Sequence, residues 1–177
     1  MSRRIIKTLT LAGAVLCAGL KAGEAPAKAE PPGITVPQSA LKSIASSLAV
    51  RWRFFKDRTN PQAKDWNAQK QEAAEKELNA ICKDLEQLAE GKATLPKART
   101  LLMGYDSELD DSQQPYSLYI PEEYEGDAAF PLVVFLHGQG MFNPLQCNAP
   151  KIGRMLVVAP QGRGGMDYMY VGEADVL

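Results

Sequence analysis

Apolar residues recur at helical spacing in the first half of the chain. Two such stretches lie between residues 38 and 95, separated by a break at 57–60. Apolar side chains three or four positions apart share one face of a helix, so each stretch predicts an amphipathic helix. Asn60-Pro61 is typical of a helix start and Gly91 of a helix end, which together predict an antiparallel helical hairpin. The apolar positions are Leu41, Ile44, Leu48, Trp52 and Phe55, and then Ala74, Leu78, Ile81, Leu85 and Leu88.

The pattern changes to short strand-like segments at about residue 99. Residues 99–105 and 115–120 are rich in β-forming side chains, and 130–136 and 155–159 are continuous apolar runs. A short continuous apolar run predicts a strand that is buried on both faces. Because these strands alternate with loops rich in glycine and proline, we expect a mixed α/β sheet that follows the helical hairpin.

The N-terminal residues, 1–29, are organised like a secretory signal peptide. A positively charged start is followed by an apolar run over 8–20, and Ala-Lys-Ala at 27–29 has the form of a cleavage site. The run is shorter than the roughly 20 residues that a membrane-spanning helix needs. We therefore expect a periplasmic or secreted protein with no stable membrane anchor after cleavage, and a proline-rich linker at 30–37.

Composition excludes more functions than it suggests. The 177 residues include 20 Lys and Arg and 21 Asp and Glu, so the chain lacks the excess of positive charge that favours binding to nucleic acid. No Cys/His spacing is typical of a metal site, and we expect no metal and no cofactor. After export, Cys82 and Cys147 either form a disulfide between two segments or remain thiols.

The strongest chemical motif is Leu-His-Gly-Gln-Gly at 136–140, directly after an apolar run. Glycine permits a sharp turn and the close approach of a ligand, so backbone N–H groups of this turn can point into an open cavity. Fixed donors of this kind stabilise the oxyanion of an acyl-transfer intermediate. A plain glycine turn after a strand is the simpler alternative.

Three further polar residues follow the last apolar run: Arg163, Asp167 and Tyr168. Ligands bind at the carboxyl ends of strands in open α/β sheets, so these side chains are candidates to line a substrate pocket. The alternative is a charged surface loop that is stabilised locally. Glu173 and Asp175 are expected in the first turn of a helix, where acids complement the helix dipole.

Residues 99–177 resemble the opening of secreted α/β-hydrolases, in the prolyl-oligopeptidase-like and polyhydroxybutyrate-depolymerase-like esterase groups. The ordered series that carries the resemblance is PYSLYIP (115–121), FPLVVFLHGQG (130–140) and VVAPQGRGG followed by DYMYVGEADVL (157–177). The resemblance implies that the backbone N–H of Gln139 is the oxyanion donor, that Gly138 and Gly140 shape the turn, and that His137 supports the loop. It leaves the helical segment unexplained.

Serine esterase chemistry also needs a nucleophile, a histidine base and an acid. No serine follows Ser117, none lies between glycines, and His137 is the single histidine. In the order of the family, all three groups follow the oxyanion turn at a greater distance than this sequence reaches. The hypothesis is therefore an N-terminal fragment of an exported serine carboxylester hydrolase that acts on an ester substrate and is inactive by itself.

Two alternatives stay open from the sequence. A serine peptidase belongs to the same superfamily as the esterases. A complete, non-catalytic secreted binding or structural module would account for the helical hairpin, which esterase chemistry does not require.

Overall fold

A computed structural model describes residues 33–126, 129–138, 153–166 and 168–175. The described part combines helices with two sheets, one of them mixed, which agrees with the α/β class expected from the sequence. The strands are β1 (Gly33–Thr35), β2 (Thr94–Pro96), β3 (Thr100–Asp106), β4 (Gln113–Tyr119), β5 (Leu132–Val134) and β6 (Leu156–Pro160). The α-helices are α1 (Leu41–Arg58), α2 (Ala68–Ala89) and the short α3 (Val171–Ala174).

The two long helices form the predicted antiparallel hairpin, but α2 begins later than predicted. Asn60 accepts the Gln62 backbone N–H at 3.0 Å, which makes a local turn that does not continue into the helix. Asn67 is the true N-cap, because its backbone is extended and its side chain accepts the Lys70 N–H at 3.0 Å. At the other end, Gly91 has a φ of +72°, the left-handed conformation of a helix stop.

A short two-stranded sheet, β1 with β2, was not predicted. Gly33–Thr35 pairs antiparallel with Thr94–Pro96, and Val36 donates its N–H to the Ala93 carbonyl at 2.9 Å. Part of the stretch interpreted as a linker is therefore a strand. This pairing joins residues that are far apart in the chain, so no local sequence pattern predicts it.

The larger sheet has the order β3-β4-β6-β5. β3 and β4 form an antiparallel hairpin, β4 is antiparallel to β6, and β5 is parallel to β6. β5 lies within the 130–136 run and β6 overlaps the 155–159 run, both of which the sequence predicted as strands. The expectation that 130–136 is buried on both faces is wrong for the described residues, since β5 lies at the sheet edge with Leu132 59% and Val134 51% exposed.

The main core lies between the helical hairpin and the first two strands of the larger sheet. Ile44 and Leu48 of α1 pack with Met103 of β3 and Ala93, all of them buried. Leu85 and Leu88 of α2 add to the same cluster. The helices and the sheet thus share one core.

Candidate functional site

The candidate site lies at one edge of the larger sheet, where β5 and β6 end. Because these two strands are parallel, the residues that follow them meet at the same edge. His137 and Gly138 follow β5, and the loop from Gln161 to Tyr168 follows β6. Gln139, Gly140 and Asp167, which the sequence also predicted as site residues, lie outside the described residues.

His137 is held inside this turn by its ring and by its backbone. The side chain is buried, with Nε2 3.0 Å from the Gln161 carbonyl oxygen and Nδ1 2.9 Å from the Gly138 carbonyl oxygen. A neutral imidazole donates from only one nitrogen, and here both nitrogens face backbone acceptors. The ring thus lies between the turn that follows β5 and the loop that follows β6.

Tyr168 clamps the same turn from the other loop. Its hydroxyl donates to the Pro160 carbonyl oxygen at 2.7 Å and accepts the His137 backbone N–H at 3.2 Å. The two rings lie 4.9 Å apart between centroids. A Cβ at Gly162 would sit 2.6 Å from the Tyr168 ring, so glycine is required there. The backbone N–H of His137 is consequently occupied within the protein.

Gly138 has a different environment from Gly162. It is exposed, and none of the described residues lies within 4 Å of a Cβ built on it. Its backbone is not left-handed either, because Gly138 is not among the described glycines with a positive φ. Neither crowding by described residues nor backbone strain therefore requires glycine at 138.

Arg163 is the centre of a polar cluster beside the turn. Its guanidinium forms ion pairs with Asp110 (2.8 Å) and Asp175, and it donates to the Ser107 hydroxyl at 2.9 Å. Ser107 donates in turn to Asp175, whose side chain is 2% exposed. These contacts tie the β3–β4 loop, the loop after β6 and the end of α3 together.

The charges of this cluster stabilise one another. Hydrogen bonds from Arg163, and then from Ser112, hold the pKa of Asp110 well below its usual range. The same pairing with Asp110 and Asp175 raises the pKa of Arg163. Burial, and then the charge of Asp175, raises the pKa of Tyr105 to about 12. The described contacts of Arg163 are to Asp110, Asp175 and Ser107.

Three members of this cluster were not recognised from the sequence. Ser107 and Asp110 lie in a turn that reads as an ordinary polar loop, and Asp175 was expected in the first turn of a helix. In the structure Glu173 occupies that first turn, whereas Asp175 follows the last residue of α3. No local signal marks the cluster, because Ser107 and Asp175 are 68 positions apart.

Other site types find little support in the described part of the chain. No group of three or more potential ligands among the described residues is arranged to hold a metal ion. None of the described helices is long and apolar enough to cross a membrane. Cys82 is disulfide-bonded, and the other two cysteines, Cys17 and Cys147, lie outside the described residues.

Comparisons of the chain with family models, with curated proteins and with solved structures find no match.

Proposed function

We propose that residues 99–177 form the oxyanion-turn portion of an α/β-hydrolase domain in an exported serine carboxylester hydrolase. In this proposal the turn at 137–140 supplies backbone donors to the tetrahedral intermediate of ester hydrolysis. The nucleophile, the acid and the base are not among the 177 residues. The substrate is a carboxylic ester, and neither nucleic acid nor a cofactor takes part.

The observation that carries the proposal is the position of the His-Gly turn in the strand order β3-β4-β6-β5. The resemblance implies that the strand before the oxyanion turn pairs with the strand before the Ala-Pro-x-Gly-Arg-Gly segment. β5 and β6 pair in this way, in parallel, with Val133 opposite Val157. The turn then projects from the carboxyl end of β5, where open α/β sheets bind their ligands.

The contacts of the turn support different roles for its residues: one orients the turn and another supplies the backbone donor. The ring nitrogens of His137 face the backbone carbonyls of Gln161 and Gly138, and its backbone N–H donates to the Tyr168 hydroxyl. In this proposal His137 orients the turn and contributes no backbone donor to the substrate. None of the described residues crowds Gly138, which is compatible with a carbonyl oxygen lying next to this peptide. By the resemblance, the donor itself is the N–H of Gln139.

Export belongs to the same proposal and depends on residues 1–29. Cleavage after 27–29 would release the mature protein to the periplasm or the medium. N-terminal sequencing of protein from a bacterial host tests this, with a mature start between residues 25 and 30 as the expected result. Intact Met1 in soluble cytoplasmic protein would contradict export.

A non-catalytic secreted module is the second candidate, favoured by one observation. α1 packs directly on β3, where Ser47 accepts the Gly104 N–H at 3.0 Å, and the helices and sheet share a core. The hairpin is thus integral to the fold, although the esterase resemblance does not account for it.

A serine-reactive fluorophosphonate probe distinguishes the two candidates. We expect the probe to label a protein from the native source that yields peptides of residues 99–175. The labelled serine should lie in a part of that protein that these 177 residues do not include. In that protein, Gln139→Pro removes one backbone donor, and we expect a loss of about a hundred- to a thousand-fold in kcat. If no protein containing these peptides reacts, the module is favoured over the enzyme.

The 177-residue chain alone gives a second test. Without a nucleophile and base we expect no hydrolysis of p-nitrophenyl acetate above a control protein. Turnover that disappears in His137→Ala would show that His137 is catalytic and that its supporting role is misassigned.

A further inference from the structure

A cleft between the helical hairpin and the β2–β3 segment lies apart from the His137 turn. Two adjoining cavities, each with a volume of about 240 Å³, share six lining residues. This volume is just below the roughly 300 Å³ at which ligand pockets usually begin, so the cleft suits a small molecule. The shared residues are Arg51, Asp84, Gln87, Thr94, Pro96 and Arg99.

The floor of the first cavity is apolar and well packed. It is formed by Ile44, Leu48 and Met103, which are 7%, 2% and 5% exposed. Because these side chains belong to the shared core, the floor is fixed before any ligand binds. Leu95 and Leu101 line the same cavity and are only half-buried, so an apolar ligand body gains free energy by covering them.

The rim carries an excess of positive charge. Arg51 and Arg99 line both cavities, and Asp84 is the acidic residue among the described residues that line them. Asp84 is already paired with Arg51 across the two helices. The balance of the rim therefore favours an anion over a neutral or cationic group.

Arg99 is the cation that an anion would meet. It is exposed, lines both cavities, and makes no hydrogen bond or ion pair with any described residue. Its backbone is nevertheless fixed, since Ala98 donates to the Ile120 carbonyl at 2.7 Å and the buried Lys97 side chain donates to the Tyr124 carbonyl at 3.1 Å. A guanidinium on an anchored backbone is suited to bidentate binding of a carboxylate.

We propose that this cleft binds a small organic carboxylate with an apolar body, held by Arg99 at the rim and by the half-buried side chains of Leu95 and Leu101. The site is independent of the proposed esterase function, because it shares no residue with the turn at 137–140. It also gives the helical hairpin a role that the hydrolase resemblance leaves without explanation.

Equilibrium dialysis of the full chain against benzoate tests the proposal, with benzamide as a neutral probe of similar shape. We expect saturable binding of benzoate at one site, binding of benzamide weaker by about tenfold or more, and a decrease in benzoate affinity with added salt. Absence of saturable benzoate binding, or equal binding of the two probes, would overturn the proposal.

Charge-removing variants then locate the site. Arg99→Gln should weaken benzoate binding about tenfold or more, and Arg99→Lys should keep part of the affinity because it retains charge without the planar fork. Lys64→Gln, an exposed substitution outside the cleft, is the matched control and should bind as the unchanged chain does. Circular dichroism checks that each variant folds, and equal losses in Arg99→Gln and Lys64→Gln would refute a specific role for Arg99.

Discussion

Single residues decide how firmly the loops of the candidate site are held. Asp175 receives hydrogen bonds from Arg163 and Ser107 with its side chain almost entirely buried. A buried carboxylate keeps its charge only with such partners, and the partners in turn depend on the carboxylate. Asp175 therefore links the loop after β6 to the β3–β4 loop more strongly than its place in a four-residue helix suggests.

We predict that Asp175→Asn lowers the free energy of unfolding by about 1–3 kcal/mol, since it weakens charged hydrogen bonds to Arg163 and Ser107. Glu173→Gln is the matched control in the same short helix, where Glu173 is exposed, and should change stability by less than about 0.5 kcal/mol. Urea denaturation measures both. Equal effects would show that the Arg163 cluster does not contribute to stability.

Asp110 gives the cluster a pH dependence in the acid range. Its pKa in the folded protein is lowered, mainly by the hydrogen bond from Arg163, so the carboxylate favours the folded state above the unfolded pKa of about 3.9. This contribution is lost as the pH falls through the lower, folded pKa. We expect Asp110→Asn to melt below the unchanged chain at pH 7, with the gap closing as the pH falls from about 4 and narrowing in high salt. A gap independent of pH would contradict this assignment.

At the scale of elements, sequence patterns predicted those features that depend on near neighbours. The spacing of Ile44 and Leu48 predicted α1, and the apolar run at 155–159 predicted β6. The start of α2 was misplaced because Asn60 and Asn67 both make turns of the kind that begin helices, and only the chain reversal between the helices selects Asn67.

Features that depend on distant partners were missed. β1 exists through its pairing with β2, and Asp175 acquires its burial through Ser107 and Arg163. The turn at His137 was located by its motif, whereas its clamp by the Tyr168 hydroxyl has no signature in the sequence. Contacts between residues that are distant in the sequence depend on tertiary packing, which a local sequence pattern does not predict.

The contact between α1 and β3 provides a test of the shared core. A Cβ on Gly104 would lie 2.5 Å from Val50 Cγ2 and 3.0 Å from the Ser46 carbonyl oxygen. We predict that Gly104→Ala destabilises the fold by about 1–3 kcal/mol through overpacking, and that adding Val50→Ala recovers less than the full loss, because the Ser46 oxygen remains. The measurement is urea denaturation of the single and double variants.

Gly138→Ala is the control for this substitution. Its new Cβ meets no described residue within 4 Å, and the backbone there is not left-handed. We expect its free energy of unfolding to be unchanged or raised by up to about 1 kcal/mol, through restriction of the unfolded chain. A loss of stability at Gly138 as large as that at Gly104 would contradict the absence of described residues around the Gly138 Cβ position.

At the scale of the whole molecule, the larger sheet is protected unevenly. β3 is covered by α1 and the shared core, but β5 lies at the opposite edge with Leu132, Val134 and Leu136 each at least half exposed. β5 itself carries no charged residue. An exposed apolar edge without charge is a template for pairing with another strand.

We therefore expect the 177-residue chain to self-associate through β5, with exposed apolar surface that binds a hydrophobic dye. Side chains alternate between the faces of a strand, so neighbouring positions separate association from folding. Val134, 51% exposed, points away from the small cluster in which Val133 packs on Tyr119 and Val157. Val134→Lys should shift the chain towards a monomer in light scattering across a concentration series while preserving its cooperative thermal transition.

Val133→Lys, one position away, should instead abolish that transition, because it buries a charge among apolar side chains. A monodisperse monomer before any substitution, with slow amide exchange across 132–136, would refute the open edge as the source of association.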